Sequence, residues 1–133
     1  MEQLDLELGA VEYRIPGGGT LRFNPADPNV YGRFLEAQKG LETVHESFRR
    51  KAKTVEEGAQ VLALLQEADR ELKALLGSVF PGNDFDAALG GVNLLAVNAA
   101  GKTVAEGLLT ALAAVLEAGA KTLVEAEAAK LRT

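Results

Sequence analysis

The spacing of the apolar residues changes once along this chain, near residue 25, and that change determines which elements the chain can form. A spacing of two puts alternate side chains on one face of a β-strand, whereas spacings of three and four line one face of an α-helix. The sequence therefore predicts a mainly α (α+β) fold: a small N-terminal β-hairpin or meander, followed by a bundle of three long helices and one short helix. The alternating residues before the change are Leu4, Leu6, Leu8, Val11, Tyr13 and Ile15.

Residues 1–24 form the predicted β-hairpin arm. Its apolar residues occupy even positions first and odd positions after Gly9-Ala10, so we expect a bulge or tight turn there that keeps one face apolar. The stretch PGGGT, residues 16–20, is typical of a hairpin connection. It leads into a strand that carries Phe23 on its apolar face.

Two long helices follow, and each has a capping signal at its start. Asp27 is a good N-cap residue and Pro28 suits the first helical position. The stretch TVEE, residues 54–57, is interpreted as a capping box that opens the second helix, which is predicted to end at Gly77. Both helices are amphipathic, which favours an antiparallel pair. The apolar stripes consist of Val30, Phe34, Ala37, Leu41, Val44 and Phe48 in the first helix and of Leu62, Leu65, Ala68, Leu72 and Leu75 in the second.

The remainder of the chain predicts one short and one long helix. Pro81 and Gly82 break the pattern, a short helix follows Asn83, and Gly90-Gly91 ends it. The last helix is expected from Thr103 toward Leu131, and the whole chain is expected to be a single domain, 1–133, with its helical bundle at 27–131. Candidates for the buried side of the last helix are Val104, Leu108, Leu112, Val115, Leu123 and Val124.

Composition excludes several classes of protein. The chain of 133 residues has no cysteine and one histidine, which argues against disulfide frameworks, thiol nucleophiles and multi-histidine metal sites. Its net charge of −5 makes nucleic acid an unfavourable partner. No basic start precedes an apolar run, as a signal peptide requires, and the two longest uncharged stretches, 87–101 and 107–116, are shorter than a bilayer span. We expect a soluble cytoplasmic protein with no nucleic-acid or membrane partner.

The stretch AVNAAGKT, residues 96–103, satisfies the loose form of a phosphate-binding loop. Gly101 would let backbone N–H groups approach phosphate oxygens, Lys102 would contact the terminal phosphates and Thr103 would bind magnesium. A phosphate-binding loop joins a buried strand to a helix of a parallel sheet, which this sequence does not predict. Thr103 is instead interpreted as the N-cap of a capping box with Glu106.

Other reactive residues also have structural explanations. His45 between Glu42 and Glu46 fits a solvated helix face better than a metal site, and neither Ser47 nor Ser78 lies in a nucleophile motif. The carboxylate pairs at 56–57 and at 84 and 86 fall at helix starts, where acids are favourable. The basic residues 49–53 lack interleaved aromatic residues. We therefore predict a non-enzymatic protein with no catalytic, cofactor-binding or metal site.

The uncharged segment 87–101 has no clear periodicity, so it either packs inside the fold or contacts a partner. We favour the partner, because glycine and asparagine interrupt any regular element that would bury the leucines. The residues predicted to contact a partner are Phe80, Phe85, Leu89, Leu94, Leu95 and Val97.

The order of these parts resembles the tail assembly chaperones of long-tailed bacteriophages and prophages. The resemblance covers nearly the whole chain, from LRFNPADPNVYGRFLEAQKGLE to the closing Ala/Leu-rich helix. Its most specific part is Val79-Phe80, then a Gly/Asn/Asp break, then a short helix that ends in Gly90-Gly91. Leu89 departs from the pattern, because a second aromatic residue is expected there.

The resemblance implies a non-enzymatic chaperone that binds the phage tape measure protein and helps to recruit tail-tube subunits. It implies a location in the cytoplasm of the bacterial host and absence from the mature virion. We also expect no cofactor, and the sequence is compatible with weak self-association. Two other hypotheses stay open: a self-associating structural protein or helical adaptor for another partner, and a nucleotide-binding protein that uses residues 96–103.

Overall fold

A computed structural model describes residues 1–132, so only the last residue of the predicted single domain lies outside the described residues. It confirms a mainly helical chain that begins with a two-stranded antiparallel hairpin and continues, within the described residues, with four helices. The strands are β1, Val11–Arg14, and β2, Thr20–Phe23. The helices are α1, Pro28–Lys53, α2, Gly58–Val79, α3, Phe85–Ala88, and α4, Val104–Leu131.

The hairpin forms where the sequence predicts it. Tyr13 lies opposite Leu21, and the Ile15 amide donates to the Gly19 carbonyl at 2.7 Å across the turn. Gly17 and Gly18 have φ angles of +107° and +104°, which glycine adopts without the steric cost that a Cβ would bring.

The residues before the hairpin differ from the prediction, which treated them as part of a strand. Leu4, Leu6 and Leu8 pair with no strand, and between 71% and 86% of each is exposed. Gly9, with a φ of +76°, bends the chain where the alternation switches. The apolar period alone does not make a strand, because an edge of the sheet must also be close enough to accept its backbone hydrogen bonds.

The helices α1 and α2 form the predicted antiparallel pair. The Arg33 guanidinium near the start of α1 donates through Nε to the carbonyl of Val79, the last residue of α2, at 3.0 Å. Lys51 near the end of α1 lies 3.6 Å from Glu67 in the first half of α2. Asp27 caps α1 as predicted, because its side chain accepts from the Asn29 amide at 2.9 Å.

Three predictions about α2 are wrong. Thr54 does not open a capping box: it is the C-cap of α1, its hydroxyl donates to the Lys51 carbonyl at 2.9 Å, and α2 begins at Gly58. Leu62 is 62% exposed rather than inward-facing, because it lies on the side of α2 that no other element covers. The helix also continues through Gly77 to Val79, because Leu76 and Val79 are buried in the core and hold the last turn in place.

The hairpin and the helices share one core, centred on Phe80 just after α2. Its ring lies 4.7 Å from that of Phe23, 6.4 Å from that of Phe34 and 5.8 Å from that of Phe85. These distances are typical of aromatic pairs that stabilise a core. The residues that meet here therefore come from β2, α1 and α3 as well as from the end of α2.

The last helix packs against the rest of the fold mainly through residues 104–119. Its buried residues are Leu112, Leu116 and Gly119, and a Cβ at Gly119 would lie 1.8 Å from the Pro25 carbonyl oxygen. Val124 lies beyond this contact and is 66% exposed, so the prediction that it is buried is wrong. Leu123 is half-buried.

Candidate functional site

The segment between α3 and α4 is attached to α2 through its backbone. The Leu94 amide donates to Oδ1 of Asp69 at 2.7 Å, and the Asn93 side chain donates to the Leu65 carbonyl at 3.2 Å. The Leu94 amide and carbonyl are both used, since the carbonyl accepts from the Ala105 amide at 2.8 Å. An irregular segment can be buried when its polar groups have partners of this kind, and Leu94 is 0% exposed.

A buried lysine organises this attachment. Lys73 Nζ lies 2.8 Å from Oδ2 of Asp69, 2.6 Å from Oδ1 of Asp86 and 2.9 Å from the Val92 carbonyl oxygen. Burial by itself lowers the pKa of Lys73, but the hydrogen bonds and charges of Asp69 and Asp86 outweigh it and raise that pKa above the ordinary 10.5. We call Asp69, Lys73 and Asp86 the ionic anchor. It joins α2, α3 and the following segment in one place.

The sequence analysis missed the ionic anchor, although the sequence contains a signal for it. Asp69 and Lys73 are four residues apart on α2, within a stripe that also contains Leu72 and Leu76. A pair of opposite charges inside an apolar stripe indicates a buried ion pair, because an unpaired charge there would be very unfavourable.

The ionic anchor changes the interpretation of the six residues that were predicted to contact a partner. Phe80, Phe85 and Leu94 are at most 2% exposed and belong to the core, so in the folded chain they have no surface to offer a partner. Leu89 and Leu95 are half-buried and line two different clefts, and Val97 is 66% exposed. The structure therefore does not bring the six together at one surface.

An apolar cleft of about 600 Å³ lies between the hairpin and α4. One wall is the inner side of the hairpin with Tyr13, Ile15 and Phe23, and the other is α4. Only Arg14 is charged among its lining residues. We call it the hairpin cleft. The α4 and loop residues that line it include Leu89, Val92, Val104, Leu108, Ala111, Leu112 and Val115.

The hairpin cleft is bounded on one side by a helix that is apolar in composition although little of it is buried. Within the described residues, α4 is the one helix that is long and apolar enough to cross a membrane, yet only 17% of its most apolar stretch is buried. Uncharged runs alone do not show this, because α4 stays apolar on average despite its charged residues. A core helix that meets the same criterion is mostly buried, so α4 differs from such a helix in how much of it is exposed.

A second cleft, of about 400 Å³, lies on the opposite side of α4 and is more polar. Glu42, His45 and Glu106 contribute to its lining, beside Leu95 and Leu109. In residues 1–132 no group of three His, Asp or Glu side chains is arranged to hold a metal ion.

The stretch 96–103 has a geometry that suits a turn rather than a phosphate-binding loop. The amides of Ala100 and Lys102 donate to Oδ1 of Asn98, at 2.9 and 3.1 Å, and the Gly101 amide donates to the Asn98 carbonyl. These N–H groups are the ones that would have to surround a phosphate. The capping box is confirmed: Thr103 Oγ1 accepts from the Glu106 amide at 3.1 Å, and the Glu106 carboxylate accepts from the Thr103 amide at 3.3 Å.

Comparison of this chain with protein-family models, with curated proteins and with solved structures found no match. The functional inference therefore depends on the hairpin cleft, on the exposed surface of α4 and on the resemblance in the order of elements.

Proposed function

We infer that this protein is a non-enzymatic assembly chaperone that holds apolar helical segments of a partner in the hairpin cleft and along α4. The resemblance to phage tail assembly chaperones suggests which partner: the tape measure protein, with recruitment of tail-tube subunits as the later step. The host cytoplasm, and loss before the virion is complete, belong to the same proposal.

The hairpin cleft is the observation that carries this proposal. It has an apolar lining, it is open to solvent, and one of its walls is α4, of which little is buried. An amphipathic helix that lays its apolar side into a groove uses such a surface, with anchors at spacings of three and four residues. A partner rich in apolar helices would be kept soluble by covering that side.

A small-molecule ligand fits the cleft less well. Sites for small ligands combine apolar walls with a few polar groups that fix orientation. Asn98 is the one amide side chain of the lining, and its Oδ1 already accepts from the amides of Ala100 and Lys102.

Membrane insertion is a second candidate, and the length and apolar character of α4 favour it. It would require α4 to separate from Leu94, whose carbonyl accepts from Ala105, and from the core contacts of Leu112 and Leu116. A partner helix needs no such separation, so we place membrane binding second.

The test is co-expression with a phage tape measure protein and measurement of the soluble fraction of that protein. Wild type should raise that fraction. Leu108→Asp, at a half-buried position in the hairpin cleft, should abolish the gain, because a carboxylate opposes burial of an apolar helix. Leu62→Asp, at a 62% exposed position on α2, is the matched control and should behave as wild type.

The results of this test separate the competing hypotheses. A thermal melt of each variant separates loss of binding from loss of folding. If folded Leu108→Asp still solubilises the partner, the hairpin cleft is not the contact surface. If wild type gives no gain, the chaperone function is wrong, and recovery of wild type in the membrane fraction would favour insertion. A rise in melting temperature with ATP and magnesium would support the nucleotide hypothesis instead.

A further inference from the structure

The two edges of the hairpin sheet differ. On the outer edge of β2, the Asn83 side chain takes the place of a neighbouring strand: its Oδ1 accepts from the Arg22 amide at 2.7 Å and its Nδ2 donates to the Arg22 carbonyl at 2.9 Å. Within residues 1–132 the sheet contains two strands, so the outer edge of β1 lies opposite no described strand of the same chain. An open strand edge is a template for pairing with another chain.

The register determines which groups β1 presents at this edge. The Ile15 amide is hydrogen-bonded to the Gly19 carbonyl across the turn. Backbone groups alternate in direction along a strand, so Tyr13 and Val11, two and four residues before Ile15, also direct theirs toward β2. The intervening Glu12 and Arg14 therefore direct their N–H and C=O groups outward. The same alternation holds in β2. Arg22, which lies opposite Glu12, directs its N–H and C=O groups away from β1, and Asn83 binds them there.

We propose that a second copy of this chain pairs with β1 along this edge, antiparallel and about a twofold axis at Tyr13, to give a continuous four-stranded sheet. In this register Glu12 of each copy lies opposite Arg14 of the other, and these are the residues with outward backbone groups. Two hydrogen-bonded pairs and two pairs of opposite charge then form together. The edge is self-complementary, as a twofold interface requires.

The same pairing brings the apolar side chains of β1 from the second copy next to an apolar surface of the first copy. Residues opposite each other in a sheet point to the same side, so Val11, Tyr13 and Ile15 of the second copy point to the side of the first copy's hairpin cleft. Val11 is 43% exposed in the single chain, and the cleft lies directly beside β1. The dimer depends on the β1 edge alone, and its existence does not depend on the proposed function.

The test is the molecular mass in solution by analytical ultracentrifugation over a concentration series. Wild type should approach twice the 14.0 kDa of one chain as concentration rises. Glu12→Arg places Arg opposite Arg, and Arg14→Glu places Glu opposite Glu, so each variant should raise the dimer dissociation constant by about tenfold or more. Both side chains are exposed, so the fold should be kept.

The decisive measurement mixes the two variants. A Glu12→Arg chain and an Arg14→Glu chain complement each other at both charge pairs, so the equimolar mixture should form a heterodimer with an affinity close to that of wild type. The double variant Glu12→Arg/Arg14→Glu should again form a homodimer. Arg70→Glu, the same charge change at an exposed position on α2, should leave the dimer unchanged.

Three results would overturn the proposal. One is a wild-type chain that stays monomeric over the whole series. Another is a pair of single variants that dimerise as wild type does, which would place the interface elsewhere. The last is a mixture of folded variants that stays monomeric. None of these measurements contains a client protein, so they test self-pairing independently of chaperone activity.

Discussion

The segment that joins α3 to α4 and the helix α4 that follows it are both poor in charge, but the structure treats them differently. The segment has no regular structure, yet Leu94 in it is completely buried. The helix is regular over 28 residues, yet only 17% of its most apolar stretch is buried. Neither regular structure nor apolar composition by itself predicts what is inside this protein.

Backbone hydrogen bonding explains the difference. A buried irregular segment needs partners for its N–H and C=O groups. Asp69 accepts from the Leu94 amide and Lys73 donates to the Val92 carbonyl, so α2 provides those partners. A helix satisfies its own backbone, so α4 can remain in water at no cost in hydrogen bonds, and its apolar surface stays available. The segment is therefore fixed by polar contacts from α2, whereas α4 needs no such contacts for its backbone.

The largest expected effect tests whether the segment is core. Leu94→Asp should destabilise the fold by about 4 kcal/mol or more, because it buries a carboxylate with no partner. Val97→Asp, three residues on and 66% exposed, should change stability by less than about 0.5 kcal/mol. Urea unfolding measures both. A stable Leu94→Asp variant would mean that the segment is a surface after all.

Removing the cation of the ionic anchor should have the next largest effect. Lys73→Met should cost about 3 kcal/mol, because it leaves the Asp69 carboxylate buried with one partner fewer. Lys51→Met, which removes the exposed pair with Glu67, should cost less than about 1 kcal/mol. Equal losses in urea unfolding would show that the segment is held by apolar contacts and not by the ionic anchor.

The attachment of α4 can be loosened at a single glycine. Gly119→Ala should cost about 2 kcal/mol, because the new Cβ would overlap the Pro25 backbone and push α4 away. Gly107→Ala, in the same helix with open space around it, should stabilise by about 0.5 kcal/mol through helix propensity. Thermal melts would show opposite signs. A loss at both positions would contradict the view that α4 is fastened at Gly119.

The start of α4 should be sensitive to its cap and insensitive to the neighbouring lysine. Thr103→Ala should cost about 1 kcal/mol, because it removes the acceptor for the Glu106 amide. Lys102→Ala, at an exposed position, should leave folding and partner binding nearly unchanged. Loss of function in Lys102→Ala, with no change of stability in Thr103→Ala, would revive the phosphate-binding interpretation.

Alkaline pH should weaken the ionic anchor gradually. The folded pKa of Lys73 lies above the ordinary 10.5, so its stabilisation is complete below pH 10.5 and is lost as pH rises through the folded value. Burial also raises the pKa of Tyr13 above 10.0, so the contribution of Tyr13 to stability is likewise lost as pH rises, in a neighbouring pH range. Melting temperature against pH in the Tyr13→Phe background isolates the lysine, and adding Lys73→Met should remove the remaining slope.

Two similar motifs show how far local sequence could predict this structure. Both TVEE at Thr54 and TVAE at Thr103 predict a capping box, and only the second forms. Thr103 has the extended backbone that a cap needs, with a φ of −75° and a ψ of 155°. Thr54, with a φ of −96° and a ψ of 0°, still follows the path of α1. The motif was the same, but the path of the preceding chain differed.

The candidate site was less predictable than the fold. Leu108 and Val115 were predicted as buried residues of the last helix, and they line the hairpin cleft together with Tyr13 and Ile15. A pattern within one helix cannot show that its apolar side lies opposite a hairpin almost a hundred residues earlier in the chain, with a gap between them. The leucines of segment 87–101 were placed at a surface because the contribution of Asp69 and Lys73 comes from another helix.

The sequence by itself determined the hairpin turn, the antiparallel pair of helices, the caps at Asp27 and Thr103 and the absence of cysteine chemistry. These follow from hydrogen bonds and periodicities that span only a few residues. Tertiary structure alone decided that Leu94 is core, that most of α4 is surface, and that the edge of β1 is open while Asn83 closes the edge of β2. Burial and edge pairing depend on which groups reach a site from distant parts of the chain, and the spacing of residues does not encode that directly.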